Sequence, residues 1–548
     1  MQLTKWNVWH SYSSWIVGRI PAIDKWAEAV VRSRMAPLAI HRDGRCWYKT
    51  KAQLQTASTE IGFVPNKAEG SYIIPHDVPD YAKECLVQAV AMRTHEQYAL
   101  ADPLGHVPEY IRVYFEPSML EYDCFAVRVY PQAKIYQDGI LLLGFRLLSS
   151  EAPYELGPFI DEQVNLFAHQ AVATELPAEV VVRAALHGFC YGKRRLWRSD
   201  ARLRRSLRGK LRPLMQRDQE GDFKSRRVRA EGSVWEALVS LDLAPYNLRA
   251  LANLHVWALL DAAAGTEGGR LSVVRWPGRR KLGSYWSGRP SIYIAETNPQ
   301  VTSSKDLVRD HASFVASILM RSTDPFTRGP EELIGPNLRE FEDYALFANR
   351  GVTLWFGLNK DLFPAGSRGA IDMDHEANLG GFVYDKHVLM EFIEYWYIAH
   401  KAVEERSLEL AKARKLSELA LMERELAALD RSVEEIPPAG EIADLIKHVG
   451  ICLNVEGVSN QVRANLRFKE VLMQEARDTR NLVFGTVLAV LIGLTGAPAL
   501  ADALVKPLGV KLGWSAPGEL ESLGLASALL ISLVSLAAVP IYCYRGKR

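Results

Sequence analysis

The sequence predicts an α+β protein: a mixed α/β body, a long helical stalk and a C-terminal hairpin of two transmembrane helices. Three observations predict it. Short β-rich segments flank an Asp-Gly step in the first third of the chain. A long charged helical pattern follows near residue 400. Two apolar runs without a charge close the sequence. The expected divisions are an α/β domain over 1–322, a connecting segment over 323–386, a long-helix stalk over 387–480, and a membrane domain with a basic tail over 481–548.

The 548 residues carry a net charge of +2, so no global field selects a strongly charged partner, and nucleic acid is not favoured. The six cysteines, Cys46, Cys85, Cys124, Cys190, Cys452 and Cys543, form no CxxC pair. That usage fits a reducing compartment better than a disulfide framework or a zinc site. Met1 to Pro21 holds Lys5, His10 and Arg19 among tryptophans and no continuous apolar core, so no signal peptide is expected.

Within the body, Ile111 to Phe115 and Phe125 to Tyr130 have strand composition. Ala133 to Tyr136 and Ile140 to Leu147 flank Gln137-Asp138-Gly139 and predict a hairpin. Ile160 to Ala173 and Ala178 to His187 show helical patterns. Leu271 to Trp276 and Ser291 to Ala295 are further candidate strands. Asp306 to Arg321 predicts an amphipathic helix, with Ser303 and Ser304 as possible caps. The Pro/Gly-rich stretch Thr323 to Pro336 marks the expected domain boundary.

Lys193 to Arg229 holds fifteen Lys or Arg against four Asp or Glu, with leucines interleaved at helical spacing. Such a basic amphipathic helix can lie on anionic lipid or hold another polyanion; the alternative is a solvated face whose leucines pack inward. The candidate contacts are Lys193, Arg194, Arg195, Arg198, Arg202, Arg204, Arg205 and Arg208. Asp372-Met373-Asp374-His375-Glu376 clusters carboxylates as hard cations require, which makes Asp372, Asp374 and Glu376 candidate ligands for a divalent cation such as Mg²⁺. The spacing is neither an EF-hand nor HExxH, because Leu379 stands where the second histidine would be, and a solvated loop is the competing reading. Phosphate-loop, dinucleotide and nucleophile-elbow motifs are absent, so the sequence supplies nothing in favour of an enzyme.

Val388 to Ile436 predicts one long charged helix, about 70 Å if straight, ended by Pro437-Pro438. Its apolar stripe breaks phase between Val403 and Leu419. It can pack on its own domain or oligomerise as a stalk. A second helix, Val462 to Arg480, runs into the first span. Leu482 to Ala501 and Leu523 to Tyr544 contain no charge, and each run is long enough for the roughly 30 Å hydrocarbon core of a bilayer. Arg477 and Arg480 precede the first run, and Arg545, Lys547 and Arg548 follow the second. Positive flanks prefer the cytoplasm, so both termini are expected inside, with a short external loop over Asp502 to Ser522.

This layout resembles the CorA-type divalent-cation transporters: an α/β body, a long charged helix, a helix entering the first of two C-terminal spans, and a basic tail, here Arg545-Gly546-Lys547-Arg548. The resemblance covers mainly Val388 to Arg548. It implies a homo-oligomer, a pentamer, in the inner membrane, conducting cations along its first spans under control of the cytoplasmic domain. Asn481, Thr486, Gly493 and Thr495 are the expected pore-facing positions. Where those transporters carry Gly-Met-Asn, this chain reads Gly493-Leu494-Thr495-Gly496-Ala497-Pro498. The rival reading is a membrane-anchored signalling or defence effector, in which the body senses a ligand and the hairpin anchors the chain or breaches the bilayer.

Overall fold

The longest N-terminal element is a strand, β1 (Gln2–Trp15), in a segment with no clear strand expectation. Its even positions Trp6, Val8 and Tyr12 enter one apolar core, while Trp9 enters another. Side chains of a strand alternate in direction, so this alternation marks a sheet covered on both faces. The computed structural model describes residues 1–16, 20–49, 54–58, 80–99, 107–149, 152–192, 227–240, 243–264, 283–339, 343–358, 376–409, 416–434, 440–513, 518, 521–522, 524–530 and 533.

Thirteen further strands join β1 among the described residues. They are β2 (Leu38–His41), β3 (Arg45–Lys49), β4 (Leu54–Ser58), β5 (Tyr110–Tyr114), β6 (Ser118–Glu121), β7 (Ala126–Tyr136) and β8 (Ile140–Leu148). The remainder are β9 (Tyr154–Glu155), β10 (Ala173–Pro177), β11 (Arg227–Ala230), β12 (Gly283–Asn298), β13 (Tyr344–Ala348) and β14 (Thr353–Gly357). The main order is β13-β14-β12-β1-β8-β7-β5-β2-β3-β4, antiparallel except for the parallel β12–β14 pair. The expected hairpin is β7–β8, closed at Gly139 with φ +92°. A Cβ at Gly139 would lie 2.8 Å from the Ile16 carbonyl oxygen, so glycine is required there by conformation and by space.

Among the described residues the α-helices of five or more residues are α1 (Ile23–Arg32), α2 (Asp80–Ala99), α3 (Ala178–Gly192), α4 (Gly232–Ser240), α5 (Leu248–Ala264), α6 (Ser304–Asp310) and α7 (Ala312–Met320). They continue as α8 (Pro330–Ile334), α9 (Glu376–Glu409), α10 (Leu416–Glu434), α11 (Gly440–Leu453), α12 (Val455–Leu500) and α13 (Lys506–Lys511). Residues of α1, α3, α5 and α7 fill the core on one face of the sheet. On the other face α9 and α11 cover β1, β8, β12 and β14, and α2 covers β2, β3 and β5. The chain divides into unit 1, Met1–Glu404 with Leu426–Ser459, and unit 2, Glu405–Glu425 with Asn460–Arg548. The three-layer assembly belongs to unit 1. The Pro/Gly-rich stretch Thr323 to Pro336 lies inside unit 1, since β12 before it and β14 after it pair with each other.

Several expectations need correction. Phe125–Tyr130 and Ala133–Tyr136 form one strand, β7; Pro131 falls where β7 exchanges β6 for β5 as its partner, a place where a missing N–H costs little. Ile160 to Ala173 is helical only in part and not as one helix: a π-helix spans Phe159–Val164, a 3-10 helix spans Leu166–Ala168, and β10 begins at Ala173. The apolar spacing there serves burial of Phe159, Ile160, Val164 and Leu166 without helical continuity. Asp306 to Arg321 is two helices broken at His311, with the Ser303 hydroxyl accepting from the Lys305 N–H at 3.1 Å as a cap.

The single helix expected over Val388 to Ile436 is also two, α9 and α10. The Trp396 indole donates to the Leu429 carbonyl at 3.2 Å, a pair that would stand about 50 Å apart on one straight helix. His400 likewise meets Asp430 at 3.1 Å. The phase break in the apolar stripe separates two helices that fold back on each other. In unit 2, Arg406 pairs with Glu425 at 2.7 Å, Ser407 accepts a bond from Asn465 at 3.3 Å, and Val462 and Leu466 are buried. Of the loop expected over Asp502 to Ser522, the first ten residues are helical, a π-turn over Ala501–Val505 followed by α13. An Asp502–Lys506 pair at 2.6 Å, four residues apart, supports that turn.

Candidate functional site

On the α2/α9 face of the sheet, β1, β8, β7 and β5 present polar side chains where apolar ones would complete the core. Register sets the rows. Trp9 lies opposite Arg146, and Arg146 opposite Tyr130. Gly144 lies opposite Gln132, and Gln132 opposite Tyr114. Lys134 lies opposite Arg112. Glu96 comes down from α2, and His387, Glu391 and Glu394 come down from α9.

The buried charges are paired. Arg112 donates to both oxygens of Glu391, at 2.5 and 2.7 Å, the parallel two-bond geometry of strong guanidinium–carboxylate pairs. Lys134 donates to Glu96 at 2.9 Å and to Glu391 at 3.3 Å, and its ammonium lies 4.2 Å from the Tyr110 ring centroid. The Tyr110 hydroxyl donates to Glu96 at 2.5 Å. Two cations and two carboxylates thus cancel within one layer, which is what their burial requires.

Burial opposes the Glu391 charge, but Arg112 and then Lys134 outweigh it and hold the carboxyl at about 2. Three residues along the same helix the balance reverses. Burial pushes Glu394 up to about 8, against the pull of Arg289 and a hydrogen bond with Ser11. Burial also lowers His387 to about 3 and His255 to about 4.

These shifts predict a pH optimum of stability. Between pH 4.5 and 8 the unfolded chain has released the Glu394 proton while the folded chain keeps it, so Glu394 lowers stability as pH rises. Below pH 6.5 the unfolded histidines bind protons that buried His387 and His255 refuse, so both lower stability as pH falls. Two opposing groups outweigh one below 6.5, and Glu394 acts alone among these three above it. Stability should peak near pH 6.5 and decline toward pH 8 by at most about 1.4 kcal/mol per pH unit. Glu394→Gln should flatten the alkaline limb in chemical denaturation at stepped pH, and an unchanged limb would refute the assignment.

Next to this layer lies a cavity of about 180 Å³, lined by Trp9, Cys85, Tyr114, Gln132, Arg146 and Tyr384, among others. Arg146 is one of these lining residues. Its Nε donates to Asn7 Oδ1 at 2.8 Å and its Nη1 to the Tyr384 hydroxyl at 3.2 Å. The guanidinium carbon lies 5.8 Å from the Trp9 ring centroid and 5.4 Å from that of Tyr384, while Trp9 stacks on His387 at 3.8 Å. Trp9 Nε1, the Tyr114 hydroxyl and Arg146 Nη2 are buried with no hydrogen-bond partner among the described residues. A cavity whose lining residues carry buried, unspent donors is equipped to bind a polar ligand.

None of these residues was singled out from the sequence. The signal present was polar residues inside otherwise apolar strands, Arg112 in Tyr110–Tyr114, Gln132 and Lys134 in β7, and Arg146 in β8. On a sheet covered on both faces such positions need partners.

The sequence-predicted sites fall elsewhere. Lys193, Arg194, Arg195, Arg198, Arg202, Arg204, Arg205 and Arg208 lie outside the described residues; of that basic stretch, Arg227 pairs with Glu175, and Arg229 with Glu121 and Glu231. Asp372 and Asp374 also lie outside them, and Glu376 is the first residue of α9. Among the described residues no group of three or more His, Cys, Asp or Glu is placed to hold a metal ion. Asn481 is exposed on α12, and the Thr486 hydroxyl donates to the Leu482 carbonyl at 2.7 Å. Gly493 and Thr495 fall within the backbone of α12, and the side chain of Thr495 lies outside the described residues.

Among the described residues no helix is long and apolar enough to cross a membrane. Most side chains from Ala489 to Leu500, and most of the run Leu523 to Tyr544, lie outside them. No protein family, curated protein or solved structure matches the chain.

Proposed function

We propose that the chain is an oligomeric membrane protein that conducts cations along its C-terminal helices under control of unit 1, in the manner of the CorA-type transporters. The observation that carries this reading is the surface of unit 2 around the first apolar run. Leu482, Val483, Phe484, Val487 and Leu488 are all exposed. Three of them are consecutive, so they point in three directions around the helix, and a helix apolar all round seeks lipid or neighbouring helices. Leu504, Leu508, Leu512, Leu525, Leu529 and Leu533 are exposed as well. Among the described residues a Cβ added at Gly485 or Gly496 would meet nothing within 4 Å, which leaves room for the helix of another copy.

The proposed conducting surface is Asn481, Thr486, Gly493 and Thr495. The Thr486 hydroxyl donates its proton to the Leu482 carbonyl on the preceding turn. The cargo class is a divalent cation such as Mg²⁺, in the inner membrane, with both termini in the cytoplasm.

Light scattering of the detergent-purified chain, with detergent mass subtracted, should give a pentamer. Liposomes holding it should pass cations, and Thr486→Ala should change the rate or the ion preference. A monomer without flux for any cation would end this reading. The effector reading is the second, and the ligand-ready cavity of unit 1 favours it; toxicity on overexpression that disappears on removing residues 482–548 would distinguish it from a transporter.

A further inference from the structure

The donors around the cavity in unit 1 specify a ligand class. We propose that this cavity binds a small aromatic monocarboxylate, with Arg146 holding the carboxylate and the aromatic side chains framing the ring.

Size is the first argument. A cavity of about 150 Å³ takes up benzene, and this one measures about 180 Å³, enough for one ring with a small head group. The walls are the second. Trp9, Tyr81, Tyr130, Pro131, Leu148 and Tyr384 give it an aromatic and apolar lining, on which a flat ring stacks or packs edge-on.

Charge is the third and decides the head group. Arg112 and Lys134 each have carboxylates within ion-pair distance, whereas the bonds of Arg146 run to the neutral Asn7 and Tyr384. Arg146 is buried, and among the described residues no carboxylate lies within ion-pair distance of it. A buried cation without an anion is costly, so the site gains by acquiring one. Among the described residues Arg146 is the only cation lining the cavity, which matches a monoanion rather than a phosphate dianion. Trp9 Nε1, Tyr114 OH and Arg146 Nη2 supply donors without partners among the described residues, which suit carboxylate oxygens. Glu84, exposed and also lining the cavity, is the competing anion.

The proposal goes beyond ion conduction and is read without flux, so failure of either leaves the other standing. Benzoate, benzyl alcohol and inorganic phosphate would be titrated against the detergent-purified full chain, following thermal midpoint and binding heat. Benzoate should raise the midpoint saturably, with benzyl alcohol at least tenfold weaker and phosphate without effect. Arg146→Gln should weaken benzoate at least tenfold, and Glu84→Gln should tighten it. Tyr114→Phe keeps the ring and removes a buried hydroxyl that has no partner among the described residues; it should raise the midpoint of the free protein yet weaken benzoate, a pair of signs that loss of folding does not produce. No response to benzoate, an equal response to phosphate, or unchanged affinity in both Arg146→Gln and Tyr114→Phe would overturn the proposal.

Discussion

Glu391→Ala should destabilise unit 1 by about 3–5 kcal/mol, the cost of removing one partner from a buried ion pair. The side chain receives two bonds from Arg112 and a third from Lys134, and the substitution leaves the guanidinium of Arg112 in the layer without its carboxylate. Lys134 keeps Glu96, so most of the loss falls on Arg112. Against a typical total of about 5–15 kcal/mol, this brings the fold close to its threshold. Urea unfolding, followed by tryptophan fluorescence because Trp9 stacks on His387 one turn from Glu391, would measure it. The double variant Arg112→Met with Glu391→Leu should recover much of the loss, because it removes both charges together. A Glu391→Ala protein within about 0.5 kcal/mol of the parent, the scatter of ordinary surface substitutions, would mean the layer is more open to water than its burial indicates.

Charge placed in the first apolar run should release the chain from membranes. Ile492 lies at the middle of the run Leu482 to Ala501, and Leu488 one turn before it. Aspartate near the centre of a spanning helix costs about 2.5–3.5 kcal/mol, and the apolar residue it replaces gives up a few tenths more. Leu488→Asp with Ile492→Asp together should therefore move most of the protein from the carbonate-resistant membrane pellet to the supernatant. Parent protein extracted by carbonate to the same degree would exclude a bilayer-spanning hairpin. The two experiments separate cleanly, since one perturbs unit 1 and the other unit 2.

Much of the body's local structure was legible. The Asp-Gly turn between two apolar runs identified β7 and β8, because its geometry depends on adjacent residues: Asp138 caps the Ile140 N–H at 3.1 Å, and Gly139 takes a positive φ. The helix beginning at Ala178 and the Ser303 cap were readable for the same reason. Continuity was harder to read. The stripe from Val388 to Ile436 was visible, yet helical spacing is the same on one long helix and on two that fold back. The bond between Trp396 and Leu429 distinguishes them, and it joins residues 33 apart. The central strand β1 escaped notice because covering both faces of a sheet replaces alternation with a mixed run of Trp, Ser and Tyr.

Composition and local pattern were sufficient for the α+β class, the β7–β8 hairpin and the apolar C-terminal runs. Each of those signals is carried by residues a few positions apart, where backbone preference and hydrophobic period act. The candidate site had no such signal. Trp9, Glu96, Arg112, Lys134, Arg146 and Glu391 come from six separate elements, and the Arg112–Glu391 pair spans 279 positions. Folding makes them neighbours because sheet register sets the rows on one face and the two covering helices bring the carboxylates down onto them. Which charges cancel, and that Arg146 is left facing a cavity, follows from that packing, since the energy of a buried charge depends on what lies within a few ångströms rather than on what stands beside it in the chain.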